Sequence, residues 1–151
     1  MQARFGVVKV LQASGKLEDA RRETGEILEV ALSTADPGLQ ALAWEVSASL
    51  AIACKDGKGG EKSIRNGLAI LENFGIPMAA WRLDQTAWEF YQMLKNETEA
   101  ESHRKRGEIC ILKIANSFAS MNRFGRRFSP PLRFAGSWAK KLRSKPRANT
   151  N

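Results

Sequence analysis

The sequence Ile27-Leu28-Glu29 returns as Ile70-Leu71-Glu72, 43 residues later. The small residues Ala20 and Ser63 stand at the same earlier place in the two copies. A period of this length is typical of solenoids built from helix pairs, in which each pair buries its apolar surface by stacking on its neighbours. The repeat therefore predicts an all-α fold, a right-handed α-solenoid.

Apolar residues at helical spacing, separated by Gly, Pro and polar turn residues, predict six helices in three antiparallel hairpins. Asp36-Pro37 is a typical helix start, because Asp accepts hydrogen bonds from free amides and Pro is tolerated in the first turn. The run Lys55–Gly60 is interpreted as a flexible turn, since its glycines disfavour a helix. The predicted helices cover residues 2–13, 16–33, 37–54, 61–73, 78–94 and 98–119.

The charge is distributed unevenly along the chain. Of its 151 residues, 24 are Lys or Arg and 16 are Asp or Glu, which gives a net charge of +8. Residues 1–120 hold 15 basic and 16 acidic side chains, whereas residues 121–151 hold nine basic side chains and no acid. We therefore predict a helical repeat domain over residues 1–120 and a basic tail over residues 121–151.

The segment Gly15-Lys16-Leu17-Glu18-Asp19-Ala20 resembles the turn and second-helix start of a tetratricopeptide repeat, in which a turn glycine is followed five residues later by a small alanine. Alanine at that point lets two antiparallel helices approach closely. Asn96–Ala100 is a shorter version of the same pattern. The resemblance implies a tetratricopeptide-like domain that acts as a protein-interaction scaffold.

The run from Gly75 to Ala119 resembles more narrowly the closing repeats of large bacterial signalling proteins, which are cyclases or ATPases of the LuxR-activator type. The residues that carry this resemblance are Ile76-Pro77, Ala80-Trp81, Ala87-Trp88, Ala100, His103-Arg104 and the run Ile109 to Phe118. It implies that the chain is the C-terminal part of a larger signalling protein. Upstream domains of the same polypeptide are then among its expected partners.

Most catalytic and metal chemistry is disfavoured, because it needs clustered ligands or a nucleophile beside a base. His103 is the only histidine. Cys110 follows it by seven residues, which along one helix is about 10 Å and too far for proton transfer. The neighbours of His103 are Ser102, Arg104 and Lys105, so we expect the imidazole at the surface.

The run Gly57–Ser63 ends in Lys-Ser but does not match a phosphate-binding loop. That pattern needs glycine at two places that Asp56 and Glu61 occupy here, and no strand is predicted before it. We therefore expect no enzyme activity, no cofactor and no metal site.

The partner-binding candidates lie on the fifth predicted helix. They are Arg82, Gln85, Glu89 and Gln92. Their steps of three, four and three residues place them on one side, and the first helices of successive hairpins line the concave surface of a solenoid. A protein or peptide partner is expected there, and an ordinary solvated face is the alternative interpretation.

The first helix is expected to leave a face around Phe5 and Val8 uncovered. Such a face either meets a preceding repeat or drives self-association.

Cys54 and Cys110 lie in apolar runs and are interpreted as small buried side chains with reduced thiols. No apolar stretch approaches the roughly 20 residues that span a bilayer. We therefore predict a soluble, cytoplasmic protein without a membrane span.

The tail alternates aromatic and basic side chains. Its basic candidates for contact are Arg126, Arg127, Arg133, Lys140, Lys141 and Arg143. One interpretation is a site for single-stranded nucleic acid or an anionic surface. A second is a basic capping helix over residues 132–143, where Leu132, Ala135, Ala139 and Leu142 fall at helical spacing. A third is a non-native continuation produced by out-of-frame translation.

Overall fold

A computed structural model describes residues 2–121, which contain six α-helices and no β-strand. The predicted all-α class is thus confirmed over this part of the chain. The helices are α1 (Gln2–Ala13), α2 (Leu17–Leu32), α3 (Pro37–Cys54), α4 (Gly57–Asn73), α5 (Pro77–Met93) and α6 (Glu97–Met121). The basic tail and its predicted helix over residues 132–143 lie outside the described residues.

The predicted start of α3 is confirmed in atomic detail. Oδ1 of Asp36 accepts hydrogen bonds from the amides of Gly38 and Leu39 at 2.9 and 3.1 Å, and Pro37 is the first helical residue. These bonds satisfy two of the amide donors that a helix start leaves without partners. The side chain that caps α3 is therefore encoded locally, and tertiary packing is not needed to explain it.

Helix α3 is the centre of the packing. It contacts α1, α2, α4 and α5, and each helix from α1 to α4 contacts the next along the chain. One core cluster joins α1, α2 and α3, and its largest members are Phe5, Val8, Ile27, Val46 and Leu50. A second joins α3, α4 and α5, and contains Ala48, Ile64, Ala87 and Phe90. The apolar surface of α3 is thus divided between two cores.

The repeated triplets occupy related places in α2 and α4. Ile27 is fully buried, and its counterpart Ile70 is partly buried. The small residues Ala20 and Ser63 are both buried. The two copies therefore share a buried small residue and an inward-facing isoleucine, as the repeat predicted for packing helices.

The prediction of a flexible turn over Lys55–Gly60 is wrong from Gly57 onward, because Gly57–Gly60 form the first turn of α4. Oδ1 of Asp56 accepts a hydrogen bond from the amide of Gly59 at 2.9 Å and caps this helix. A Cβ added at Gly60 would lie 2.1 Å from Cε2 of Phe90. Glycine is needed here because the Phe90 ring packs against the helix backbone.

The prediction of an uncovered face around Phe5 and Val8 is also wrong. Both side chains are buried in the core cluster shared by α1, α2 and α3. The apolar side chains that α1 leaves exposed are Val7 and Val10. Apolar residues at helical spacing, such as Phe5 and Val8, face the core. Their spacing therefore indicated the buried side of α1 and not its exposed side.

The two cysteines are less buried than predicted. Cys54 and Cys110 are both partly exposed and neither forms a disulfide. Within the described helices, none is long and apolar enough to cross a membrane, in agreement with the predicted lack of a span.

Candidate functional site

The four predicted partner-binding residues lie along one side of α5. Glu89 and Gln92 are exposed, whereas Arg82 and Gln85 are partly exposed. The helix thus presents a polar stripe, formed by Arg82, Gln85, Glu89 and Gln92, that spans most of its length.

The remaining sides of α5 pack against three other helices. Leu83 contacts the backbone of α4 at Gly67, where an added Cβ would lie 2.7 Å from its Cδ2. Thr86 reaches α3, and Asp84 reaches α6. Because α5 is held on these sides, the polar stripe lies on a part of the helix that is open to other molecules.

Arg82 forms an ion pair with a buried residue of a neighbouring helix. Its Nη2 lies 3.2 Å from Oε2 of Glu45, and the hydroxyl of Thr86 donates to Oε1 of the same carboxylate at 3.2 Å. The Glu45 side chain is 5% exposed, whereas that of Arg82 is 35% exposed. The guanidinium therefore neutralises a buried carboxylate of α3 and also forms one end of the stripe.

Glu45 itself was not among the sequence candidates. It is the only charged residue in the mostly apolar helix Pro37–Cys54. Acidic residues are rarely buried unless they are paired. An isolated carboxylate in an apolar helix was therefore the signal that could have identified it as half of an internal ion pair.

The expected surface position of His103 is wrong. Its side chain is buried, and its Nδ1 lies 2.8 Å from Oδ1 of the buried Asp84. The ring of Tyr91 stacks on the imidazole with 5.4 Å between centroids and 7° between planes. Nε of Arg106 lies 3.5 Å from the same Asp84 oxygen. These four side chains form a polar cluster that joins α5 to α6.

The signal for this burial was present in the spacing of small residues. Ala100, His103 and Gly107 are buried and follow one another at steps of three and four. Gly107 lies close to Asp84, since an added Cβ would be 3.7 Å from the Asp84 Cβ. The charged residues beside His103 in the sequence suggested a surface position, whereas Ala100 and Gly107, its neighbours on the same side of the helix, are small enough to let α6 approach α5.

The surroundings of the Asp84–His103 pair do not favour nucleophilic chemistry at Cys110. Burial raises the pKa of the Cys110 thiol, and the negative charge of Asp84 acts in the same direction. The reactive thiolate is therefore less populated than for an ordinary cysteine. Among the residues that the structure describes, no group of three or more His, Cys, Asp or Glu side chains is placed to hold a metal ion.

The six basic candidates of the tail, which run from Arg126 to Arg143, lie beyond the described residues. Comparisons with protein-family models, curated proteins and solved structures found no match.

Proposed function

We propose that this chain is a protein-interaction or regulatory scaffold module and not an enzyme. In this proposal its six helices form a right-handed, tetratricopeptide-like α-solenoid of three hairpins. The supporting contacts are those of α3, which touches both α1 and α5 besides its neighbours along the chain. Such contacts between alternate helices are expected when the first helices of successive hairpins lie side by side. The resemblance of the run from Gly75 to Ala119 adds to this proposal that the chain is part of a larger, cytoplasmic bacterial signalling protein.

The observation that carries the proposed function is the polar stripe of α5. The other sides of this helix pack against α3, α4 and α6, which hold it in place. Gln85 and Gln92 carry amides that both donate and accept hydrogen bonds, and Glu89 adds an acceptor. Such groups match the backbone or polar side chains of a peptide. A site on a rigid helix also loses little conformational freedom when the partner binds.

Arg82 has a separate role in this proposal. Its charge is balanced by Glu45, so it contributes hydrogen-bond donors at the edge of the stripe and little net attraction for an acidic partner. A partner that engages Arg82 would compete with Glu45 for the guanidinium. Removal of Arg82 would leave a buried carboxylate unpaired, so this residue is unsuitable for testing the surface alone.

Affinity capture with the purified full chain tests the proposed surface. The test variant combines Gln85→Ala, Glu89→Ala and Gln92→Ala. The matched control combines Glu29→Ala and Glu72→Ala, which change exposed residues of α2 and α4. We expect the wild type and the control to enrich the same proteins, and the test variant to lose them. Equal enrichment by the test variant would contradict the proposal.

The second candidate function is binding of single-stranded nucleic acid or an anionic surface through the tail. The observation in its favour is the composition of residues 121–151, which contain nine basic side chains and no acidic one. Such a segment attracts phosphate groups by releasing their counterions, so its binding depends strongly on salt. The polar stripe on α5 would be irrelevant to that activity.

A further inference from the structure

We propose that an exposed apolar side of α1 is the docking site for a further pair of helices, which lies upstream of α1 in the same polypeptide. The surface consists of Ala3, Gly6, Val7 and Val10, all of them exposed, and is called the α1 strip below. Steps of three, one and three residues place them on one side of the helix. The inference rests on the part of the proposed function that places the chain in a larger protein, and it is independent of the polar stripe of α5.

Three turns of the chain share one backbone geometry at an interval of 40 residues. The residues in the left-handed conformation are Gly15, Lys55 and Lys95, with φ of 72°, 55° and 59°. In each turn the next amide donates to the carbonyl oxygen five residues earlier, and the pairs are Lys16–Leu11, Asp56–Ala51 and Asn96–Tyr91, at 2.9, 2.8 and 2.9 Å. Small buried residues follow at the same interval, at Ala20, Gly60 and Ala100. This interval relates positions of α1 to positions of α3 and α5, and the 43 residues between the repeated triplets differ from it by nearly one helical turn.

The matching strip of α3 is covered by the pair of helices before it. The residues that lie 40 positions after Ala3, Gly6 and Val10 are all buried, and they are Ala43, Val46 and Leu50. All three belong to the core cluster that α3 shares with α1 and α2. The side of α3 that corresponds to the α1 strip is therefore an interface with the preceding pair.

The matching strip of α5 is covered in the same way. Its residues are Leu83, Thr86 and Phe90, and all three are buried. Leu83 packs on the backbone of α4 at Gly67, and the ring of Phe90 packs on it at Gly60. The hydroxyl of Thr86 donates to the carboxylate of Glu45 in α3 at 3.2 Å. The same side of a first helix thus meets the preceding pair twice in this chain, and the α1 strip is its third copy.

The two covered strips also indicate what kind of surface covers the third. Phe90 packs on Gly60 of α4. Leu50 lies in one core cluster with Ala20 of α2, which is the equivalent of Gly60. Val10 is the equivalent of Leu50 and Phe90. We therefore expect Val10 to pack on a glycine or alanine at the same place in the second helix of the upstream pair.

A second copy of this chain would not provide a suitable cover. Phe5 and Ile52 are apolar residues that face the next pair from α1 and α3. The equivalent positions of α5 are Gln85 and Gln92. Stacking the α1 strip on α5 of another copy would bury these amides against aliphatic groups that offer no side-chain hydrogen bond, which is costly. The occupant is therefore a helix pair of different sequence.

The test compares the full chain on its own with the product of the chromosomal gene in the source cells. Val10→Cys is introduced into both, and its rate of labelling by N-ethylmaleimide is read by peptide mass spectrometry, which separates it from Cys54 and Cys110. We expect the residue to label at least about tenfold more slowly in the chromosomal product, because the upstream pair buries it.

Val30→Cys is the matched control. Val30 is 42% exposed in α2, and the corresponding helix α4 packs on α3 and α5 and not on α2. An upstream pair is therefore not expected to reach Val30, and the control should label equally in the two proteins. A benzophenone side chain at residue 10 of the chromosomal product then identifies the cover, and the expected cross-link joins residue 10 to residues upstream of α1 in the same polypeptide.

A product no longer than this chain would overturn the proposal. A longer product in which position 10 labels as fast as in the chain alone would overturn it while leaving the larger protein standing. A cross-link to a second copy of residues 2–121, or to a different protein, would overturn it as well. Affinity capture at the polar stripe decides the scaffold function separately, so the two proposals can fail independently.

Discussion

Nδ1 of His103 lies 2.8 Å from Oδ1 of Asp84, and the two side chains are 6% and 2% exposed. The pair joins α5 to α6, with Tyr91 stacked on the imidazole and Arg106 close to the carboxylate. A buried carboxylate is costly unless it is paired and hydrogen-bonded. The attachment of α6 to α5 therefore depends on a polar contact as well as on the packing of small residues.

Replacing His103 by alanine should destabilise the fold strongly. The substitution removes the ring that packs on Tyr91 and takes away the closest partner of the buried Asp84. We expect a loss of about 3 kcal/mol in the free energy of unfolding, measured by urea denaturation. Ser102→Ala, on an exposed part of the same helix, should change it by less than about 0.5 kcal/mol.

A double-mutant cycle separates the pair from general packing. Asp84→Asn and His103→Gln should each destabilise, and the double variant should lose less than the sum of the two single losses. Additive losses would show that the contact contributes nothing beyond the separate packing of the two side chains.

Glycine substitutions should have opposite signs at two helical positions. Gly60→Ala should destabilise by about 1–3 kcal/mol, because the added methyl group would clash with the ring of Phe90. Gly25→Ala should stabilise by about 0.5–1 kcal/mol, because Gly25 is exposed in α2 and nothing lies within 4 Å of an added Cβ. Thermal denaturation checks both predictions, since Gly60→Ala should lower the melting temperature and Gly25→Ala should raise it. A stabilising Gly60→Ala would contradict the packing of Phe90 on α4.

The contact between α1 and α2 should make stability depend on pH. The hydrogen bond from Arg4 lowers the pKa of Glu23 below its ordinary value of 4.5. The unfolded chain therefore binds the proton more readily, and the stabilisation is present above the ordinary pKa and lost as the pH falls through the lowered one. The difference in unfolding free energy between wild type and Glu23→Gln should shrink on acidification. In an Arg4→Met background that difference should no longer depend on pH.

The tail hypothesis makes a prediction about residues that lie outside the described helices. Changing Arg126, Arg127, Arg133, Lys140, Lys141 and Arg143 to glutamine should abolish binding of a single-stranded oligonucleotide if the tail is the site. The affinity of the wild type should then fall steeply with salt. If the module hypothesis is correct, the same variant keeps its protein partners in affinity capture.

For residues 2–121 the sequence was sufficient for the number of helices and for most of their bounds, and insufficient for the contacts between them. The cap at Asp36 could be predicted because its hydrogen bonds are local. The helical start at Gly57–Gly60 was missed although its cap, Asp56, is equally local, because the glycines were taken to disfavour a helix; the packing of Phe90, distant in sequence, explains the glycine at position 60. His103 was misplaced because its contacts are distant in sequence. Its burial is set by Asp84 and Tyr91 on another helix, while the residues next to it are polar.

The four stripe residues illustrate the same limit. Their periodicity correctly placed them on one side of a helix, since helical geometry alone determines that relation. The pairing of Arg82 with Glu45 was not visible, because it requires knowledge that α3 and α5 are adjacent.

Site-specific photo-cross-linking tests the central claim, partner binding at the polar stripe of α5, most directly. A benzophenone side chain is placed at residue 89 in the full chain, and in a matched variant at residue 72, an exposed position of α4. After irradiation in a lysate of the source cells, the account predicts a discrete cross-linked partner from residue 89 and none from residue 72. The same products from both positions, or none from residue 89, would contradict it.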